Sequence, residues 1–218
     1  MHGIFYSHDF HMCVCGWNFY CIFYIYIPPY IINYNRLVKN LKLNDIKNVE
    51  ALNIAMGENR GKVNFSIPES DAISDVTSVN GEFSKHIYPE LKWKEVPVDV
   101  STIDELSIKI NRRINLIKCD VETYEMSVFK GALKTLKNDK PTILFESFLD
   151  EERKLFFNNI LQENGYYVYL VLKDGIVRLE NGFNTNETGL NYLIAPKKSS
   201  ETFISFNRLN LSPTEIML

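Results

Sequence analysis

The chain has 218 residues, 45% of them hydrophobic and 23% charged, with a net charge of −3. That length suits one substantial domain, whose core can bury about 70% of the chain's surface, and the ordinary balance of residues excludes wholesale disorder. A mildly acidic chain carries no basic footprint for a phosphate backbone, so nucleic acid is not an expected partner. The four cysteines, Cys13, Cys15, Cys21 and Cys119, follow no paired zinc spacing, so no metal site is expected, and the compartment reads as reducing and cytoplasmic.

Between Asp9 and Arg36 there is no Asp, Glu, Lys or Arg, and VCGWNFYCIFYIYI is densely aromatic. A secretory signal would need a basic start and a small-residue cleavage site, and neither is present. A membrane span needs about 20 apolar residues, and Gly16, Asn18 and the Pro28-Pro29 pair shorten this run. The reading favoured is one or two buried strands with irregular flanks, since aromatic residues suit strands; membrane contact through this stretch stays open as the alternative. Residues 1–32 are thus set apart from a domain over 33–196, with a polar tail over 197–218.

From Asn33 to Asn44, Leu37, Val38 and Leu41 form a stripe at helical spacing. Val49 to Met56 reads as a strand, and Gly57 with Asn59-Arg60-Gly61 supplies a turn into a second strand, Lys62 to Ile67, as a hairpin or a tightly turned strand pair. Pro68 to Glu82 is a polar loop long enough to be a lid or binding loop. Val96 to Thr102 alternates as an edge strand, a place that tolerates Pro97. Ser101 or Thr102 caps a helix from Ile103 to Ile110, with Asp104 and Glu105 in its first turn.

Ile114, Leu116 and Ile117 then form an apolar run that ends in Lys118-Cys119-Asp120, and from Glu122 onward the spacing turns helical. A helix is predicted over Tyr124 to Leu136, with Met126, Phe129, Leu133 and Leu136 on one face as core. Pro141 opens a strand from Thr142 to Glu146, and a helix from Glu151 to Gln162 ends near Gly165. Tyr166 to Leu172, Ile176 to Leu179 and Asn191 to Ala195 read as a meander with a turn at Lys173-Asp174-Gly175. Alternating strands and helices followed by antiparallel strands predict an α/β fold with a mixed sheet.

The strand from Ile114 carries the candidate chemistry. Ligands bind at the carboxyl ends of strands in an open α/β sheet, and there Asp120 and Glu122 are two apart, facing the same way if the extended geometry persists. An acid at the edge of a core costs several kcal/mol unless paired, which favours a role for Asp120. Glu125 is equally well explained by the helix dipole. Cys119 reads as a small buried hydrophobe rather than a nucleophile.

The residues from Val96 to Glu146, PVDVSTIDEL and then INLIKCDVETYEMSVFKGALKTLKNDKPTILFE, resemble the FkbM-type family of S-adenosylmethionine-dependent methyltransferases. That family shows Thr-Leu-Asp-x-Leu, Ile-Lys-x-Asp-Val-Glu-Gly-x-Glu, Leu-x-Gly-Ala and a following strand that ends in Glu. NRLVKNLKLNDIKNVEALNIAMGENRGKVNFSI is similar to its upstream helix, third strand and Ala-x-Gly turn. The likeness runs from Asn33 to Glu146. It implies a Rossmann-like methyltransferase fold and transfer of a methyl group from S-adenosylmethionine to a hydroxyl of a small molecule or glycan. By it, Asp120, Glu122 and Lys118 stand at the acceptor end, with Glu146 at the next strand's end, while Asn53, Ala55 and Met56, together with Asp120, lie by the cofactor. Against these stand an ordinary ion pair for Lys118 and strand packing for Asn53, Ala55 and Met56.

The departures are specific. Thr123 replaces the family's Gly, and a β-branched residue suits positive φ poorly. Pro28-Pro29 stands where the family has Glu-Pro, so no carboxylate grips the ribose hydroxyls there. Cys15-Gly16-Trp17-Asn18 is at best a remnant of the Asp-x-Gly-Ala-Asn-x-Gly cofactor loop, so the fold is expected to be incomplete at the N-terminus. Two other functions remain in play: a catalytically inactive methyltransferase-like binding module, and a metal-dependent glycosyltransferase in which Asp120-Val-Glu122 holds magnesium or manganese.

Overall fold

The computed structural model describes residues 13–18, 21–26, 30–69, 78–79, 85–86, 88–121, 123–147, 149–184 and 191–199, with backbone alone for 13–18, 21–26, 78–79 and 199. Two sheets are present. The larger has eight strands in the order β11-β10-β12-β9-β8-β1-β2-β3, and the smaller four in the order β4-β7-β5-β6. The strands of the larger are β1 (Cys13–Asn18), β2 (Cys21–Tyr26), β3 (Val49–Ala51), β8 (Leu116–Cys119), β9 (Thr142–Glu146), β10 (Tyr166–Leu172), β11 (Gly175–Arg178) and β12 (Asn191–Pro196). Those of the smaller are β4 (Ala55–Met56), β5 (Gly61–Pro68), β6 (Ser78–Val79) and β7 (Trp93–Ser101). The fold is mixed α/β, as the alternation of elements predicts, and β3-β2-β1-β8-β9 follows the strand order of a doubly wound sheet.

The aromatic leader supplies two interior strands of this sheet, in keeping with the strand reading. Among the described residues no helix is long and apolar enough to cross a membrane. β2 runs parallel to β3, and β8 parallel to β9. β1 is antiparallel to both of its neighbours, β2 and β8.

Helix α1 (Ile31–Leu43) connects β2 to β3 and presents Leu37, Val38 and Leu41 as a half-buried stripe. Helix α2 (Ile103–Ile110) is capped by the Thr102 side chain, which accepts from Glu105 N–H at 3.0 Å, and it ends at Asn111 with φ 47°. Helix α5 (Glu151–Asn164) starts at Asp150, whose carboxylate accepts from Arg153 N–H at 2.8 Å, and stops at Gly165 with φ 65°. Local cap chemistry accounts for all four ends.

Tertiary contacts overrule several sequence expectations. Val49 to Met56 is two strands in two sheets, because the chain crosses from the larger to the smaller over residues 52–54. The expected hairpin to β5 does not form: β7 lies between β4 and β5, parallel to one and antiparallel to the other. β7 is therefore interior rather than an edge strand. Pro97 is tolerated because β4 pairs only with Val100 and Ser101, which leaves one side of Pro97 open. Nor do the last strands form a sequential meander, since β12 inserts between β10 and β9, antiparallel to both.

The helix expected over Tyr124 to Leu136 is broken into α3 (Glu125–Lys130) and α4 (Leu133–Asn138). Gly131, at the break, passes so close to the loop after β4 that an added Cβ would lie 2.0 Å from the Gly57 carbonyl oxygen. Asp104 of α2 caps the second helix from outside, accepting from Lys134 N–H, Thr135 N–H and Thr135 Oγ1 at 3.1, 2.8 and 2.8 Å. The main core packs Ile103, Leu106, Val128, Phe129, Leu136 and Phe157 of α2 to α5 against one face of the sheet, which contributes Ile117, Cys119, Ile143, Phe145, Tyr192 and Ile194. Phe157 is ringed by aromatics, with Phe145, Phe129 and Phe183 at centroid distances of 4.9, 5.6 and 5.7 Å. A second cluster, Tyr30, Ala55, Phe65, Ile67, Val98 and Val100, holds the smaller sheet to the start of α1.

Candidate active site

β8 and β9 lie side by side with Lys118 opposite Leu144 and Cys119 opposite Phe145. Strand alternation sends Ile117, Cys119, Ile143 and Phe145 into the core and leaves Lys118 and Asp120 on the other, partly open face. Lys118 Nζ stands 3.3 Å from Asp120 Oδ2, with the two side chains 44% and 29% exposed. The ion pair weighed for Lys118 is thus formed, at the carboxyl edge of the sheet. Glu146, half-buried, ends β9 opposite Asn191 of β12. Glu122 lies outside the described residues.

Asn53 sits half-buried on the crossing between the sheets. Ala55 and Met56 are each only 5% exposed, one in the second cluster and the other in the main core. Their side chains are in strand packing, so what they offer a ligand is backbone.

The turn after Asp120 contains a group that the sequence marks only weakly. Thr123 has φ 73°, so the residue that replaces a glycine does sit in left-handed backbone, at a cost of about 1–2 kcal/mol. It is held from both sides. Its N–H donates to Glu125 Oε1 at 3.1 Å, and its carbonyl accepts from an Arg153 guanidinium N–H of α5, also at 3.1 Å. Arg153 is paired with Asp150 as well. Glu125 is 1% exposed, and its other oxygen, Oε2, accepts from the buried Ser147 hydroxyl at 3.2 Å, just past the end of β9. Burial pushes the Glu125 carboxyl above its ordinary value, against the opposing pull of its own N–H, Ser147, Thr123 and the Arg153 charge.

Glu125 is therefore no solvated helix-dipole acid. Its helical position is visible in the sequence, whereas Ser147 and Arg153 carry no local signal, because both reach the turn only through tertiary packing. The Cys119 thiol, fully buried, is raised well above the usual thiol range by burial and by the charges of Glu125 and Asp120, with Lys118 opposing. It stays protonated and acts as the small apolar residue expected.

The other half of the crevice departs from the doubly wound plan. Ligands in such sheets bind beyond the carboxyl ends of the strands, where the strand order reverses. Here the reversal lies between β8 and β1, yet β1 runs the wrong way. Cys13 pairs with Lys118 at the carboxyl edge, and Cys15-Gly16-Trp17-Asn18 is strand paired to residues 21–24 rather than the remnant of a loop. Among the described residues no turn from β1 into a helix stands at that edge. Among the described residues, Lys118 and Asp120 put polar groups at the carboxyl end of β8 that a ligand could meet, whereas β1 presents no cofactor loop there.

Two cavities among the described residues, of about 440 and 340 Å³, lie away from this edge, one between α1 and β3 and the other beside Tyr167, Arg178 and Lys197. Neither is lined by Lys118, Asp120 or Glu146.

Among solved structures, the chain is similar to the crystal structure of methyltransferase FkbM from Methylobacillus flagellatus KT, at 20% identity and a TM-score of 0.48, over 78% of this chain. The chain spans 36% of the length of that one. No curated protein matches it. The model of the methyltransferase FkbM domain matches residues 4–168, which takes in β1 and β2 as well as the motifs from Asn33 to Glu146. With well over half of its 218 residues under that model, the chain belongs to the FkbM methyltransferase family.

Proposed function

We propose that the protein transfers a methyl group from S-adenosylmethionine to a hydroxyl oxygen of a small molecule or glycan, in the cytoplasm. The observation that carries this reading is the Lys118–Asp120 pair at the carboxyl end of β8, inside the family match. Asp120 is the base that takes the hydroxyl proton as the oxygen attacks. Lys118 orients the acceptor and Asp120 together, and Glu146 bounds the acceptor side; Glu122 is assigned to that side by the family resemblance alone. Asn53, the backbone of Ala55 and Met56, and Asp120 border the cofactor. When bound, that cofactor supplies an activated methyl carbon, and the protein's task is to align the acceptor oxygen with it, largely a matter of positioning. No nucleic acid or membrane is needed as a partner.

Titration calorimetry with S-adenosylhomocysteine tests the reading. Saturable heat that weakens in Asp120→Asn supports it, and no heat at millimolar ligand removes it. The antiparallel setting of β1 favours a second reading, a methyltransferase-like module retained for binding without turnover. That reading predicts no cofactor heat and no loss of biological activity in Asp120→Asn.

A further inference from the structure

We infer that Glu125 is the positioning residue of this site: by bridging the turn after β8 to the residue after β9, it fixes where Asp120 stands over the carboxyl edge of the sheet. The inference rests on the reading of Asp120 as the working carboxylate, but its geometry is independent of any ligand. Two strands that lie parallel hold each other in register only as far as their ladder runs, and the ladder between β8 and β9 ends at Cys119 and Phe145. Asp120 is the first residue beyond it. The chain then turns with Thr123 in left-handed backbone, a conformation that persists only where its surroundings over-determine it.

Glu125 supplies that determination. Oε1 takes the Thr123 N–H and Oε2 takes the hydroxyl of Ser147, 22 residues further along the chain from Glu125, so one carboxyl joins two distant segments. Arg153 completes the clasp from α5 by holding the Thr123 carbonyl, and its own partner Asp150 caps that helix. The groups that face Glu125 are Cys119 from β8, Thr123 from the turn, Ser147 from the exit of β9 and Arg153 from α5. An apolar residue would fill the same space with less desolvation, and buried polar groups of this kind can be retained for conformational specificity. Here the specificity is the placement of Asp120. Glu125 touches neither acceptor nor donor; it acts through the turn.

The test compares Glu125→Ala, Glu125→Gln and Ser147→Ala in the full chain, with aspartate carboxyls labelled with carbon-13. The readouts are the Asp120 carboxyl resonance, hydrogen exchange at the Thr123 amide, melting temperature and affinity for S-adenosylhomocysteine. Glu125→Ala should displace the Asp120 resonance, accelerate Thr123 exchange at least about tenfold and weaken the ligand. Glu125→Gln should restore all three, because the amide oxygen accepts from Thr123 and the amide nitrogen donates to Ser147. Ser147→Ala should move the Asp120 resonance in the same direction as Glu125→Ala, with the melting temperature little changed; if Glu125→Ala does not fold, this variant decides. An Asp120 resonance identical to wild type in folded Glu125→Ala or in Ser147→Ala overturns the inference, as does Glu125→Gln behaving like Glu125→Ala. Should wild-type protein ignore S-adenosylhomocysteine, the methyl-transfer reading fails, while the resonance and exchange data still decide the role of Glu125.

Discussion

Replacing Gly131 with alanine perturbs the point where the smaller sheet docks onto the broken helix. The backbone of Gly131 is ordinary, with φ −78°, so the effect is steric and not conformational. An added Cβ would sit 2.0 Å from the Gly57 carbonyl oxygen and 3.0 Å from its carbon, and Cβ atoms essentially never approach another atom closer than 3.0 Å. The two segments must therefore separate by about 1 Å, against the Glu58 N–H to Ser127 Oγ bond of 3.1 Å and the Asp104 N–H to Gly131 carbonyl bond of 3.0 Å that tie this region together. Overpacking of this order costs about 1–3 kcal/mol, and the better helix propensity of alanine returns little at a helix end. A net loss of about 2 kcal/mol lowers the melting temperature of a chain this long by about 4–8 °C. Gly61→Ala is the internal control, because its Cβ would meet nothing within 4 Å, and it should melt close to wild type. Thermal denaturation followed by circular dichroism compares the two. If Gly131→Ala melts with Gly61→Ala, the close passage of the two loops is not what breaks the helix.

Asp104→Ala should cost about 2 kcal/mol in urea unfolding, since it strips the external cap from α4 and leaves the buried Thr135 N–H and hydroxyl without their acceptor; a loss under about 0.5 kcal/mol would argue against the cap. Phe157→Ala, at a fully buried ring in the centre of the aromatic cluster, should cost about 3–5 kcal/mol by the same measurement. Glu125 makes a prediction about pH. Its folded-state value lies above the unfolded one, so the native state binds more protons, and stability falls as pH rises from the unfolded carboxylate value through the folded one. Glu125→Gln should flatten that part of the urea-unfolding profile, and an unchanged slope would mean that another group titrates there.

Much of the local structure is legible in the residues themselves. Thr102 and Gly165 announce helix ends through chemistry contained within a few neighbouring residues, and both caps form. The apolar run into Lys118-Cys119-Asp120 announces a buried strand with polar residues at its carboxyl end, and the surrounding motif points to the family without coordinates. These features share a cause: the groups that satisfy one another lie close together in sequence.

Tertiary structure decided the rest, because the partners there are distant and leave no periodic trace. Nothing near Gly131 says that Gly57 will press against it, so α3 and α4 read as one helix in the sequence. Nothing in Asn191 to Pro196 says that it will slip between β9 and β10. The direction of β1 depends on pairing Cys13 with Lys118, and only that pairing shows that the chain turns away where a cofactor loop would stand. Glu125 is the clearest case. In the sequence it is an acid in the first turn of a helix; in the fold, Ser147 and Arg153 converge on the same turn, and a buried carboxyl becomes the joint between two strand ends.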